Sequence, residues 1–323
     1  MRFKFKRLHW VIAAAGVAAV VLPVGSSASA SHVPKCLDET PTIVGTAGDD
    51  VLVGTSDDDV IVGLGGNDTI DGLDGIDLIC GNEGNDDIDG GPGIDGLVGG
   101  PGDDRLDGSE SEGLFGEDPD FALYSDAPAA VQASLMTGVA TGDGTDTDTL
   151  VNLEAVVGSS FGDTLEGDSS WNYIDGGPGD DSIVTGAGDD TLDGDDGNDA
   201  MDGGPGSDWV SYHYAPAPVN VDLGKGVASG WGSDAITGVE GLSGSRFGDR
   251  LVGDGHANHF EGGSGVDVIS GVGGADVLLG EKGGDVLNGG PGPDRLTGGP
   301  GVDRLNGGPG RDRCSGEKKR SCP

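Results

Sequence analysis

Aromatic residues make up only 5% of this 323-residue sequence, too few for an ordinary core of packed rings. Basic residues are also scarce. Against 57 Asp and Glu there are 17 Lys and Arg, giving a formal net charge of −40. A chain so acidic repels a phosphate backbone, which excludes nucleic-acid binding. The one long apolar run, Val11 to Leu22, falls short of the roughly 20 residues that cross a bilayer. There is no C-x-x-C and no H-E-x-x-H, so the common zinc-site and metalloprotease signatures are missing. What remains abundant is glycine, at 67 positions. An acidic, glycine-rich chain is either disordered or a repeat protein whose charge is neutralised by cations.

The first 30 residues differ from the rest. Arg2, Lys4, Lys6 and Arg7 precede the apolar run, and Ala28-Ser29-Ala30 has the small-residue form of a cleavage site. This arrangement predicts a secretory signal peptide over residues 1–30, with no membrane span left after cleavage. Cys36, Cys80, Cys314 and Cys322 give an even count, which in an exported chain suggests two disulfides. The closeness of Cys314 and Cys322 favours that pair, leaving Cys36–Cys80.

Beyond the signal, G-G-x-G-x-D-x-U-x, with U hydrophobic, recurs every nine residues in three blocks. The first opens at Gly45 and carries Asp50, Asp59, Asp68, Asp77, Asp86, Asp95 and Asp104 at its sixth positions, with Leu52, Ile61, Ile70, Ile79, Ile88, Leu97 and Leu106 at its eighth. The second opens at Gly158. Its sixth positions are Asp163, Asn172, Asp181, Asp190, Asp199 and Asp208, and its eighth run from Leu165 to Val210. The third opens at Gly244, with Asp249, Asn258, Asp267, Asp276, Asp285, Asp294, Asp303 and Asp312 followed two places later by Leu251 through to Cys314. Compositional bias scatters Gly and Asp, but it does not lock a hydrophobic residue two places after each one.

The organisation that follows is residues 31–108 as an N-terminal arm and first block, 109–157 as a spacer, 158–211 as the second block, 212–243 as a spacer, and 244–323 as the third block with a disulfide-capped C-terminus. The spacers resemble each other. Tyr124 answers to Tyr212, Pro128 to Pro216, Leu135 to Leu223 and Glu154 to Glu240. Val219 to Leu223 alternates apolar and polar, as a half-buried strand does. The spacers are therefore read as ordered strand pairs.

Three glycines in nine oppose a helix. A turn of six and a strand of three fit instead, with the eighth position inward and the seventh and ninth outward. Two units make one coil, and stacked coils form an all-β parallel β-roll, a β-solenoid, in three blocks. Two aliphatic side chains per coil are a thin core to set against the ordering of eighteen residues. Aspartates beside glycine carbonyls offer an oxygen-only ligand set, which calcium prefers. Eighteen residues apart, Asp50, Asp68, Asp86 and Asp104 should stack at about 4.8 Å. A dication between coils would then relieve their repulsion. The candidate calcium ligands are all the sixth-position aspartates named above.

These repeats, together with TIVGTAGDDVLVGTSDDDVIVGLGGNDTIDG from Thr42, resemble the RTX, or haemolysin-type, calcium-binding nonapeptide. The resemblance implies a parallel β-roll with calcium ions along both turn edges. At Asn172 and Asn258 the chain departs from the pattern, and both lie in the first coil after a spacer, where a weak site or a cap is expected. Cys314 takes a core position, so the roll is expected to end there. Counting back from Gly45 puts Cys36 about two coils from Cys80, near 10 Å, too far for a disulfide. Either the arm leaves the register or the pairing differs.

No catalytic constellation is recognised, so the expectation is not an enzyme. His256 and His259 stand three apart in a turn lacking its aspartate, a spacing a zinc pair can use. The expected function is a secreted, monomeric protein that folds on binding multiple Ca2+ ions. Its role would be structural or adhesive at or outside the cell surface, with cell-surface components as partners. A calcium-stabilised secreted hydrolase with a site in the spacers is the alternative.

Overall fold

The protein is described here from a computed structural model, over residues 36–37, 39–109, 119–142, 146–316, 318–320 and 322. The expected signal peptide, residues 1–30, lies outside the described residues. Every regular element described is a β-strand. The chain divides into two compact units, residues 1–128 with 138–153, and residues 129–137 with 154–323.

In the first unit the nine-residue step becomes alternating strands on two sheets, so each strand pairs with the one eighteen residues on. One sheet aligns Ile43, Ile61, Ile79, Leu97 and Ala122 in parallel register. The facing sheet aligns Leu52, Ile70, Ile88, Leu106 and Leu150. Ile61, Ile79, Ile88, Leu97 and Leu106 are all fully buried, so the eighth position builds the core as its period requires. This is a parallel β-solenoid.

The second unit repeats the design over more coils. Val156, Ile174, Leu192, Val210, Leu242, Phe260, Leu278, Leu296 and Cys314 form one core ladder. The facing sheet carries two ladders. Ala133, Leu165, Ile183, Met201 and Ile236 form the first, and Val221, Leu251, Ile269, Leu287 and Leu305 form the second.

The described parts of the spacers form strands. Val139–Thr141 pairs antiparallel with Asp148–Val151 in the first unit. In the second, Val227–Ser229 pairs antiparallel with both Asn220–Asp222 and Ser233–Thr237. Each insert returns its chain to the sheet in register. Leu106 meets Leu150 and Met201 meets Ile236, although 44 and 35 residues separate them.

The structure differs from the sequence reading in three places. Seventh and ninth positions are not uniformly exposed, since Val62, Leu78, Cys80 and Val98 on one outer face of the first unit are buried. The roll does not end at Cys314, because Lys318–Arg320 pairs in parallel with Arg304–Asn306 and sets Lys319 in register with Leu305. The N-terminal arm keeps the register at Ile43 and leaves it at Cys36. Cys36 turns back to bridge Glu39, with Leu37 at φ 45° between them. This carries Cys36 to Cys80 at a Cα separation of 5.7 Å, and the two are disulfide-bonded. Cys314 and Cys322 form the second disulfide.

Candidate metal centre

Sixth and eighth positions have the same parity, so a strand that buries its leucine buries its aspartate too. Of the nineteen candidate aspartates only Asp50 escapes full burial. They stand at the edges of the core, behind the turns. A buried carboxylate needs partners, and each of its two oxygens has a distinct environment.

Oδ1 belongs to a ladder. The backbone N–H of each aspartate donates to Oδ1 of the aspartate one coil on. Asp50 donates to Asp68, Asp68 to Asp86 and Asp86 to Asp104, each at 2.8 Å. On the other edge Asp59 donates to Asp77 and Asp77 to Asp95 at the same distance. In the second unit the ladder runs from Asp163 to Asp181 to Asp199, and from Asp249 through Asp267 and Asp285 to Asp303. It also runs from Asn172 to Asp190 to Asp208, and from Asn258 through Asp276 and Asp294 to Asp312. The stacking expected from the eighteen-residue step is therefore present on both edges.

The other side-chain oxygen separates two kinds of rung. In the first coil of each column it is satisfied locally, by the N–H four residues earlier. Thr46 donates to Asp50, Thr55 to Asp59, Ser159 to Asp163 and Ser245 to Asp249, at 2.5–2.7 Å. Asp168 and Asp254 donate in the same way to the Oδ1 of Asn172 and Asn258. The two asparagines thus occupy capping rungs, where a neutral side chain is enough. At fourteen interior rungs Oδ2 is buried without a hydrogen-bond partner. These atoms belong to Asp68, Asp77, Asp86, Asp95, Asp181, Asp190, Asp199, Asp208, Asp267, Asp276, Asp285, Asp294, Asp303 and Asp312.

The surroundings of these atoms are oxygen-rich. A Cβ on Gly262 would stand 2.7 Å from Asp267 Oδ2 and 2.9 Å from the Gly280 carbonyl oxygen of the next coil. On Gly280 it would stand 2.5 Å from Asp285 Oδ2 and 2.7 Å from the Gly298 carbonyl oxygen. Glycine at the first position therefore leaves a cradle shared by a carboxylate of one coil and a carbonyl of the next. Among the described residues no three Asp, Glu, His or Cys side chains converge to hold an ion by themselves. A cation in the cradle must draw on the main chain, and the donor set is one of hard oxygens.

Electrostatics agree. Burial pushes the carboxyls of Asp77, Asp95, Asp181, Asp199 and Asp267 up to about 7, and those of Asp86, Asp208 and Asp276 to about 6. The donated N–H offsets this in part, and in most of these rungs the stacked carboxylate adds to it. Asp59, on a capping rung, goes the other way. Burial raises it, but hydrogen bonds from Thr42 and Thr55 outweigh burial and hold it below the ordinary value.

Four column residues escape a period-nine reading. Asp120 Oδ1 accepts from Asp95 N–H at 2.8 Å and Asp148 Oδ1 from Asp104 N–H at 3.1 Å. Asp234 Oδ1 accepts from Asp199 N–H at 3.4 Å and Glu240 Oε2 from Asp208 N–H at 3.1 Å. All lie in the spacers. The sequence does mark them, because each acid stands two places before a hydrophobic residue: Ala122, Leu150, Ile236 and Leu242. A second, exposed ladder runs along the fifth positions. Asp49 accepts from Asn67 N–H, Asn67 from Asn85, and Asp180 from Asn198.

The two histidines serve different neighbours. Exposed His256 pairs with Asp254 at 2.7 Å, while His259 packs edge-on against Trp209 at 4.8 Å. The sequence was read as having no G-x-S-x-G, but Gly158-Ser159-Ser160-Phe161-Gly162 has that form of a nucleophile elbow. An elbow needs a strand-to-helix turn. Here the string is a roll turn between strands Ala155–Val157 and Thr164–Glu166, and Ser159, not the central Ser160, caps Asp163.

Six stretches, residues 44–79, 81–111, 154–183, 175–210, 243–278 and 279–314, match the family model of the RTX calcium-binding nonapeptide repeat. Together they cover more than half of the chain. A comparison with curated proteins finds no match.

Proposed function

We infer the function from what the chain is: it belongs to the RTX calcium-binding nonapeptide-repeat family, and it is a calcium-binding β-roll protein. The proposal is that it holds many ions, as many as one for each of the fourteen orphaned aspartate oxygens. That set of atoms carries the reading. Each is a buried carboxylate oxygen with no donor, and those of Asp68, Asp77, Asp86, Asp267, Asp276, Asp285 and Asp294 share a glycine cradle with a carbonyl of the next coil; leaving such an atom unpaired costs several kcal/mol. The interior aspartates would hold the ions together with glycine carbonyls. Calcium would supply the positive charge the columns otherwise lack.

Binding and folding are then one event. Without the ion, repulsion and desolvation along the columns open the coils. At the roughly 10⁻⁴–10⁻³ M affinities of extracellular calcium modules, the coils close after export. We place the protein outside the cell, as a monomer with a structural or adhesive role toward cell-surface components and no catalytic activity. The N-terminal stretch read as a secretory signal peptide, the two disulfides and the use of nearly the whole described chain for roll and insert support this. Far-UV circular dichroism of the purified protein with calcium and with EGTA tests the coupling. Strand signal gained on adding calcium is expected, and an identical spectrum in both would overturn it.

A further inference from the structure

We propose that the two spacers carry metal-free seals, in which a tyrosine hydroxyl stands where the interior rungs take calcium. This rests on the reading that calcium partners the orphaned Oδ2 atoms. Asp148 and Asp234 follow Asp104 and Asp199 in their columns, and their Oδ1 atoms join the ladder as any other rung does. Their Oδ2 atoms do not match the interior pattern. Tyr124 Oη donates to Asp148 Oδ2 at 2.9 Å, and Tyr212 Oη donates to Asp234 Oδ2 at 2.7 Å. Both tyrosines are buried.

The same device occurs twice, once in each unit, on residues that correspond between the two spacers. In each, the tyrosine is held by the same turn, with Ala127 N–H donating to the Tyr124 carbonyl and Ala215 N–H to that of Tyr212. At Asp234 the cradle is missing as well. Five residues before it stands Ser229, in an antiparallel strand, where every interior rung except Asp190 has a glycine. The hydroxyl supplies a neutral hydrogen bond to the oxygen that would otherwise call for a cation. The next column in the second unit also starts without an ion. Asp249 Oδ1 accepts from Val219 N–H at 2.8 Å, and its Oδ2 accepts from Ser245 N–H at 2.6 Å.

A spacer therefore ends one column at Asp148 or Asp234 and opens the next at Asp163 or Asp249, each with both carboxylate oxygens bonded to protein. The spacers hold their structure without calcium and template the coiling of the repeats beside them, as a unit does in a nearest-neighbour array. Hydrogen exchange read by mass spectrometry on the full chain, in EGTA and in saturating calcium, tests this. In EGTA, segment 218–238 is expected to exchange at least about tenfold more slowly than segment 264–312, with calcium protecting mainly the latter. Tyr212→Phe, which leaves Asp234 Oδ2 buried and unpaired, should abolish the EGTA protection of 218–238 yet leave calcium protection of 264–312 in place. Equal, unprotected exchange of both segments of the wild type in EGTA overturns the inference, as does a Tyr212→Phe variant with unchanged protection. If calcium protects 264–312 in either case, the calcium reading stands and only the seal is lost. If calcium protects nothing, both fall.

Discussion

Lowering the pH should fold the first unit in the absence of calcium. The perturbation acts on Asp77, Asp86 and Asp95, whose folded-state carboxyls burial raises to about 7, 6 and 7 from an ordinary value of 3.8. An acid with a raised folded value binds its proton more tightly when folded. Its destabilising effect is therefore absent below about pH 4, where both states are protonated, grows as pH rises through the folded value, and is complete above about pH 7. At 1.36 kcal/mol per unit, Asp95 costs on the order of 4 kcal/mol at pH 8, and Asp77 and Asp86, nearer the solvent and partly screened by it, about 2 and about 1.5. Together they remove on the order of 7 kcal/mol, comparable to the whole stability of a typical domain, about 5–15 kcal/mol. The assay is far-UV circular dichroism in EGTA, stepped from pH 8 to 4.5. Strand signal should rise as pH falls through 7, and millimolar calcium should flatten the profile. A chelated protein whose signal is constant, or falls, between pH 8 and 5 would refute the reasoning.

Other outcomes follow from single positions. Val272 is a β-branched residue held at φ 74°, so Val272→Gly should raise the midpoint of denaturant unfolding in calcium, by about 1 kcal/mol net of the added chain entropy. Gly280→Ala places a methyl group in the cradle of Asp285. It should lower stability in calcium by about 1–3 kcal/mol and weaken calcium uptake in calorimetry, whereas an unchanged isotherm would argue against the cradle. The disulfides close loops of 44 and 8 residues. Removing Cys36–Cys80 by paired serine substitution should cost about 4 kcal/mol, and removing Cys314–Cys322 about 2.5, read from denaturation in calcium.

Much of the fold was legible because one constraint repeats. A nine-residue unit with hydrophobic eighth positions leaves little choice but stacked coils, and Ile61, Ile79 and Leu97 stand in the register that period predicts. The aspartate columns were legible for the same reason. The sequence reading did not reach what breaks the period. Asp120, Asp148, Asp234 and Glu240 rejoin the columns after inserts of unequal length, so no fixed step finds them. The difference between capping and interior rungs depends on a backbone N–H four residues away, which Thr46 and Ser245 offer because the chain bends back there. Cys36 reached Cys80 because a single left-handed residue, Leu37, reversed the arm, which counting by nines could not foresee.

The central claim is that calcium partners the orphaned carboxylate oxygens. Anomalous diffraction from crystals grown in calcium tests it most directly. Peaks about 2.3–2.6 Å from Oδ2 of interior aspartates such as Asp267 and Asp285, and from carbonyls of the following coil, are the expected result. Interior columns with no anomalous peak beside Oδ2 at saturating calcium would contradict the account.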